Sequence, residues 1–422
     1  MEELFQYIWK YGLFARHDLK TVSGELVEII DGGMQNRDAG PDFFNAKVKL
    51  GDTVWAGNVE VHLRSSDWLR HGHQNDKRYD SVILNVVEVC DAELYRTNGE
   101  PIPQLVLPFP DNVRDHYTYL VAAASSIPCR NQLQDIDGFL LSSWKNALLT
   151  ERLERKTEAI QQLLDQNRQN WEEAFYVTLL RSFGLGVNND AFERMARSLP
   201  LGFVQKHADS LLQIEAFFFG QAGLLDEENP DNSYLILLQR EYHFLQNKFS
   251  LKPIDKEAWR FLRLRPANFP HIRLAQMAAL YHQTPSLFSK AMEIKTPEAF
   301  YAMMNIEPSA YWQTHYDFTS ESNSKTKRIG KTALQVAFIN AVVPMMFAYG
   351  RATGNEELCE QAVALLETLP SEENSIVREW RGVGVEVASA FDSQAIIQLQ
   401  RDYCDKKKCL YCRIGHRILS RK

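Results

Sequence analysis

The sequence lacks several features that would assign it quickly to a class of protein. It contains no run of about 18 apolar residues, which predicts no membrane-spanning helix. Its first residues form neither a basic segment nor an apolar one, so we expect no signal peptide. Neither a P-loop nor a dinucleotide-binding glycine pattern occurs, and no nucleotide cofactor such as ATP or NAD is implied. No low-complexity tract interrupts the chain, whose composition is that of a globular protein.

Cysteine is also scarce, and acidic residues outnumber basic ones. Six cysteines in 422 residues are too few for a disulfide scaffold, which favours a reducing, cytoplasmic location. The net charge of −7 does not favour a protein that simply coats nucleic acid. Residues 401–422 nevertheless carry eight Lys and Arg against two Asp. This basic segment either contacts phosphate or is only solvated.

The periodicity of the chain changes near residue 136. The first part predicts, after an amphipathic helix, the strands Glu25–Ile30, Phe43–Leu50, Val54–Leu63, Ser81–Val89 and Ile102–Leu107. From Gly138 to about Leu399, apolar residues recur at the three- and four-residue spacing of helices. We therefore predict an α+β protein. It has a small mixed α/β domain (1–135), a large all-α domain (136–400) and a basic, cysteine-rich segment (401–422).

One predicted hairpin concentrates ionisable residues at one end of a sheet. Asp42 opens an apolar strand, and Glu60 and His62 share one face of the next strand. A three-residue turn, Gly51–Thr53, would place Asp42 opposite His62 and diagonal to Glu60. A two-residue turn would need a bulge to keep Glu60 on that face, and Gly57 is the candidate for it.

These side chains are the candidate catalytic residues. Carboxylates such as Asp42 and Glu60 are the ligands that Mg²⁺ prefers, and Mn²⁺ accepts the same set. A bound ion would polarise a phosphodiester and lower the pKa of an attacking water. His62 would orient that water or stabilise charge.

The residues Pro41-Asp42 and Glu60-Val61-His62 resemble the PD-(D/E)xK phosphodiesterase pattern, with His62 where lysine is usual. In that superfamily the aspartate begins the second core strand and the Glu-x-Lys lies on the third. The resemblance implies a restriction-endonuclease-like sheet and a Mg²⁺-dependent nuclease acting on DNA or RNA. The histidine leaves open a catalytically inactive module of the same fold that binds nucleic acid or protein. A salt-linked structural hairpin is the third interpretation.

The whole chain also resembles an uncharacterised bacterial family, domain of unknown function 2851. The resemblance implies no activity. It rests on Asn36–Phe43, Gly57–His62, Phe219–Gly223 and Arg265–Pro270.

A dense polar stretch follows the hairpin. Its candidates for substrate phosphate are Arg64, Arg70, His71 and His73. The two histidines could instead form a zinc site with Asp67 or Asp76, which would make the protein a zinc hydrolase. The remaining interpretation is a polar loop in which Asp76 caps a helix.

The last candidate site is formed by cysteines. Cys404, Cys409 and Cys412 lie within nine residues, and with His416 they have the spacing of a Cys3His zinc site. With Cys129 instead they would hold a [4Fe–4S] cluster. That arrangement resembles certain iron–sulfur nucleases of the PD-(D/E)xK superfamily, although the spacing differs. Free thiols are the alternative.

Overall fold

The computed structural model describes residues 1–36, 38–107, 109, 111–226, 231–319 and 321–421. It divides into two units. The first comprises Met1–Trp144 with Leu399–Lys422, and the second comprises Lys145–Gln398. The first unit contains a mixed sheet and the second is helical, which confirms the predicted α+β class. The basic segment 401–422 thus lies within the first unit, and the helical unit begins at Lys145.

The strands of the first unit form one sheet. Its described strands are β1 (Val27–Asp31), β2 (Met34–Gln35), β3 (Phe43–Leu50), β4 (Thr53–Arg64), β5 (Val82–Val89) and β6 (Gln104–Val106). They lie in the order β1-β3-β4-β5-β6, and β2 also pairs with β3. The pairs up to β3–β4 are antiparallel, whereas β4–β5 and β5–β6 are parallel. The five predicted strands are therefore present, with ends that differ by up to two residues.

The described helices are α1 (Glu2–Tyr11), α2 (Ser66–His71), α3 (Asp111–Ala122), α4 (Gly138–Gln166), α5 (Trp171–Phe183), α6 (Asn189–Ser198), α7 (Leu201–Gln205), α8 (Leu211–Gln221), α9 (Ser233–Phe249), α10 (Pro270–Gln283), α11 (Leu287–Met292), α12 (Pro297–Met303), α13 (Tyr311–Thr314), α14 (Lys331–Ala337), α15 (Val343–Thr353), α16 (Glu356–Thr368), α17 (Ser375–Gly382), α18 (Ala390–Leu399) and α19 (Arg413–Leu419).

The centre of the sheet is buried on both faces. Residues 82–87 of β5 are all buried, as expected for a parallel strand covered by helices. The apolar face of α1 is also buried, and α1 contacts β4. A parallel pair needs a crossover connection. The chain supplies it between β4 and β5 with α2 and the short 3-10 segments His73–Asn75 and Lys77–Ser81. That crossover carries the candidate site residues Arg70, His71 and His73.

Two segments on which the family resemblance rests, Phe219–Gly223 and Arg265–Pro270, have structural roles in the second unit. A side chain at Gly220 would overlap the ring of Tyr242, and Gln221 is fully buried with its amide bonded to Ser198 and Lys252. In the other segment, Asn268 accepts a hydrogen bond from the buried Arg273. These contacts explain the Phe219–Gly223 and Arg265–Pro270 segments by packing.

The helix that runs through Lys331–Thr353 is long and apolar enough to cross a membrane by length and composition. It comprises α14, a π-helical turn and α15. The apolar window of this helix is 72% buried inside the protein. Such burial is typical of the core helix of a soluble protein.

Candidate functional site

The turn between β3 and β4 differs from the expected one. Leu50 pairs with Thr53, so the turn has two residues and the predicted Leu50–Val54 pairing is wrong. The register shifts further along, where Ala46 pairs with Gly57 but Phe43 pairs with Val59. The extra residue lies in β3, where Asn45 has a φ of 57°. Asparagine tolerates this left-handed conformation better than most residues, which allows the bulge there.

Gly57 does not supply the bulge but serves a close approach. A Cβ at this position would lie 2.4 Å from Ile83 Cγ2 and 2.7 Å from the Ser81 carbonyl oxygen. The absence of a side chain therefore lets β4 pack against the start of β5.

The bulge places Asp42 beside Glu60 rather than opposite His62. The Asp42 backbone N–H donates to Glu60 Oε2 at 2.9 Å, and the Val61 N–H donates to Asp42 Oδ2 at 3.1 Å. Gln6 of α1 donates to Asp42 Oδ1 at 2.9 Å. Each Asp42 oxygen and one Glu60 oxygen thus accept a hydrogen bond. The other Glu60 oxygen, Oε1, faces histidines.

Two histidines lie close to Glu60 Oε1. It lies 3.4 Å from His73 Nε2 and 3.7 Å from His62 Nε2. His62, His71 and His73 each bring a ring nitrogen within 4.8 Å of the others. Nitrogen and oxygen ligands about 2 Å from a tetrahedral zinc ion are about 3.3 Å apart, so the Glu60 distances fit one ion.

Local backbone and packing hold this group together. Gly72 has a φ of 77° and ends α2, so the chain reverses between His71 and His73. The His73 ring stacks on Tyr79 with 3.8 Å between centroids. Trp68, which is fully buried, presents an edge to the same ring. These contacts turn His73 towards β4.

The Nε2 atom of His62 is unprotonated, so its lone pair can accept a hydrogen bond or bind a metal ion. The Nδ1 atom lies 3.1 Å from Asn85 Oδ1, an acceptor, so Nδ1 carries the proton. The buried Nε2 atom has no hydrogen-bond partner within the described ranges. A histidine that ligates a metal usually donates its other N–H to a carbonyl or carboxylate in this way.

Burial controls the charges of the site. Burial raises the pKa of Asp42, and the nearby negative charge of Glu60 raises it further. Burial also raises the pKa of Glu60. Burial also lowers the pKa of His62 to about 4 and lowers the pKa of His73. His62 is therefore neutral near neutral pH and cannot supply the positive charge of a lysine. A cation between Glu60 and the histidines would offset the burial of the carboxylates.

The remaining candidates near the hairpin lie outside this group. Arg64 and Arg70 have side chains that are 61% and 69% exposed, and they pair with Asp91 and Asp67 respectively. Asp76 accepts a hydrogen bond from the Arg78 N–H and caps a 3-10 segment. Asp67 and Asp76 therefore have structural partners, and the carboxylate that lies close to His73 is Glu60.

Sequence reasoning missed Gln6 and Asn85, which position the site, and placed Tyr79 in the polar stretch without its stacking role. Asn85 had a visible signal, since it is the polar residue within the apolar strand Val82–Val87. Gln6 had none, because the contact between α1 and the start of β3 depends on the folded chain. Glu2 of the same helix adds negative charge, which contributes to the raised pKa of both carboxyls.

The candidate cysteines lie in another part of the first unit. Cys129, Cys404, Cys409 and Cys412 are all buried and line one pocket. His416 has a different neighbour, because its Nδ1 lies 2.6 Å from the Tyr7 hydroxyl. Its ring also contacts Tyr11.

Comparison with known families gives a match over most of the chain. The family model described as "Protein of unknown function (DUF2851)" matches residues 2–375. No curated protein and no solved structure matches the chain. The matched range includes the sheet with Glu60 and the three histidines, and its description names no activity.

Proposed function

Because the chain belongs to the DUF2851 family, whose description names no function, we propose a function from the site itself: a metal-dependent hydrolase that cleaves phosphodiester bonds in nucleic acid. The observation that carries this proposal is the convergence of Glu60 Oε1 with His62 Nε2 and His73 Nε2, at 3.7 and 3.4 Å. His71 completes the group at its exposed side. Buried polar atoms without partners are rare unless something binds them.

The ligand set favours a transition metal. Imidazole nitrogens suit zinc and related ions, whereas Mg²⁺ prefers oxygen ligands. His62, His71 and His73 would hold Zn²⁺, with Glu60 Oε1 beside two of them, and the exposure of His71 leaves a side open to water or substrate. The Mg²⁺ or Mn²⁺ expected from the sequence would need both Asp42 and Glu60 as ligands. When bound, a divalent ion lowers the pKa of a water ligand and polarises the phosphoryl oxygen.

The chain's own residues then have separate tasks. Asp42 orients Glu60 through its backbone N–H, and Asn85 fixes the tautomer of His62. Arg64 and Arg70, whose guanidinium groups are exposed, are the candidates for binding substrate phosphate. Asp42 before β3 and Glu60 on β4 also agree with the strand placement in the PD-(D/E)xK superfamily. Nucleic acid as the partner and the cytoplasm as the location rest on this proposal and on the sequence.

Cleavage assays with the full-length chain test the proposal. The protein is stripped of metal, reloaded with Zn²⁺, Mn²⁺ or Mg²⁺, and incubated with labelled single- and double-stranded DNA and RNA. We expect metal-dependent cleavage that falls at least about 100-fold in His73→Ala, because even residues that only orient ligands contribute about 10–100-fold. His17→Ala, which removes an exposed histidine of the same unit, should cleave normally. Metal binding without cleavage of any substrate would instead favour an inactive binding module of the same fold.

Asn85 allows a test of the metal site that does not need a substrate. Asn85→Leu removes the acceptor for His62 Nδ1, so we expect the affinity for Zn²⁺ to fall about 10–100-fold. The affinity is measured by competition with a chelating indicator. Gln104→Leu is the matched control, because it removes a buried amide from the paired position of the neighbouring strand, and the hydrogen bonds of that amide go to Ser65 and Ala92. Equal affinities in the wild type and Asn85→Leu would argue against His62 as a ligand.

A further inference from the structure

Four cysteines from two distant parts of the chain meet in one pocket of the first unit. Cys129 precedes the 3-10 segment Arg130–Asp135, and Cys404 ends a π-helical turn after α18. Cys409 begins another 3-10 segment, and Cys412 is the N-cap of α19. Their exposed fractions lie between 7 and 9%. Four thiols that line one pocket are a candidate ligand set, because the thiolates of neighbouring cysteines are the usual ligands of zinc and of iron–sulfur clusters.

The walls of the pocket are held by contacts that do not involve sulfur. Gln400 donates from its side-chain amide to the Ser126 carbonyl at 2.9 Å, and Lys407 Nζ donates to the Ala123 carbonyl at 2.6 Å. Both bonds join the segment before Cys129 to the segment around Cys404. At Gly415 a Cβ would lie 2.0 Å from the Cys409 carbonyl oxygen. Only glycine allows α19 to approach the Cys409 turn so closely.

The spacing of the sulfur atoms distinguishes a single ion from a cluster. Four thiolates about 2.3 Å from one tetrahedral zinc ion lie about 3.8 Å apart. Among the described residues, His62, His71 and His73 form the group whose ligand atoms all lie within 4.8 Å of one another. The four cysteine sulfurs form no such group, so they are spread more widely than the ligands of a single ion. His416, the alternative fourth ligand for zinc, is bonded to Tyr7. A larger inorganic core with four cysteine ligands satisfies both observations.

We infer that Cys129, Cys404, Cys409 and Cys412 bind a [4Fe–4S] cluster that joins the C-terminal segment to the N-terminal part of the first unit. The inference goes beyond the proposed hydrolase and does not depend on it. Binding requires four thiolates, whose protons leave as the cluster is bound.

The charges near the pocket suit such a cluster. Burial in this pocket disfavours the charge of a thiolate unless a positive centre lies beside it. Lys407 acts in the opposite direction on Cys409, and Lys408 lines the pocket. The segment 401–422 carries eight basic residues against two acidic ones. Within this segment, Lys407 and Lys408 are placed to offset part of the negative charge of four thiolates.

Anaerobic purification of the full chain tests the inference. We expect a brown protein with four irons and four acid-labile sulfides per chain, whose broad visible absorption is bleached by dithionite. Cys129→Ser should lose most of this iron, whereas Cys90→Ser, a cysteine of the same unit outside the pocket, should retain it. The iron and sulfide content of the wild type decides the matter even if Cys129→Ser does not fold.

Two results would overturn the cluster. A colourless wild-type protein whose bound zinc is lost in Cys129→Ser would replace it by a zinc site, and wild-type protein without iron or sulfide would exclude it. Limited proteolysis supplies a readout for the role of the cluster. Chelating the iron from the wild type should expose the segment 401–422 to cleavage, and unchanged protection would argue against the proposed joining of the two parts. Hydrolase activity does not enter any of these measurements.

Discussion

Replacing Glu60 by glutamine is expected to lower the affinity for Zn²⁺ and the rate of hydrolysis by at least about 100-fold each. Glutamine keeps the shape of the side chain but removes the charge of the one oxygen that faces His62 and His73. The loss should exceed the roughly 10–100-fold effect of removing a residue that only orients a ligand. Zinc titration and a cleavage assay on the same preparation measure both quantities.

Asp42→Asn is the informative partner of this variant. Both oxygens of Asp42 accept hydrogen bonds, from Gln6 and from Val61. If the ion lies among the histidines, Asp42→Asn weakens metal binding less than Glu60→Gln. Equal losses in both variants, together with a requirement for Mg²⁺, would place the ion between the two carboxylates, as the sequence predicted. No loss in either would end the assignment of a metal site.

The stability of Glu60→Gln shows whether its loss of metal binding comes from unfolding or from the missing ligand. Because burial raises the pKa of Glu60, folding favours its protonated form. A raised pKa adds stability at acid pH that is lost as the pH rises through the folded-state pKa. Metal-free Glu60→Gln should therefore be at least as stable as metal-free wild type above neutral pH. A marked drop in its melting temperature there would mean that the side chain has a structural role.

The sequence was sufficient for the elements that depend on local periodicity. The alternating pattern of β3 and the apolar run of β5 predicted their bounds to within one residue, and the helical spacing beyond residue 138 predicted the helical part of the chain. It was not sufficient for the register of β3 and β4. That register depends on Asn45 in a left-handed conformation, and a bulge of this kind leaves no periodic signal.

The same distinction applies to the two candidate sites. Glu60 and His62 lie on one strand, so their common face followed from a period of two. His71 and His73 join them through the reversal at Gly72 and the crossover to β5, which only the folded chain defines. Cys129 comes from a segment 275 residues before Cys404, and its place beside the other thiols depends on contacts such as that of Gln400 with Ser126. Spacing predicted the three neighbouring cysteines and left the fourth ligand open.

Acid is expected to destabilise the second unit through His271. This residue of α10 is 8% exposed and lies among the rings of Phe219, Trp312 and Phe318. Burial lowers its pKa from 6.5 to about 4. In the unfolded chain the imidazole binds a proton near pH 6.5, whereas in the folded protein it does so only near pH 4. The contribution of neutral His271 to the free energy of unfolding is therefore fully present above about pH 6.5. It is lost as the pH falls from there to about 4, and the loss amounts to about 3 kcal/mol in total.

His271→Phe should remove this part of the pH dependence, because phenylalanine keeps an aromatic ring in the apolar surroundings and binds no proton. Urea denaturation between about pH 7 and pH 4, followed by a probe in the second unit, measures the effect. The wild type should lose about 3 kcal/mol more than the variant over this range. His62 contributes with the same sign, but it is present in both proteins and cancels in the comparison. His243→Phe, at an exposed position of the same unit, should behave as the wild type. Parallel stability curves for the wild type and His271→Phe would mean that His271 is protonated in the folded protein without cost.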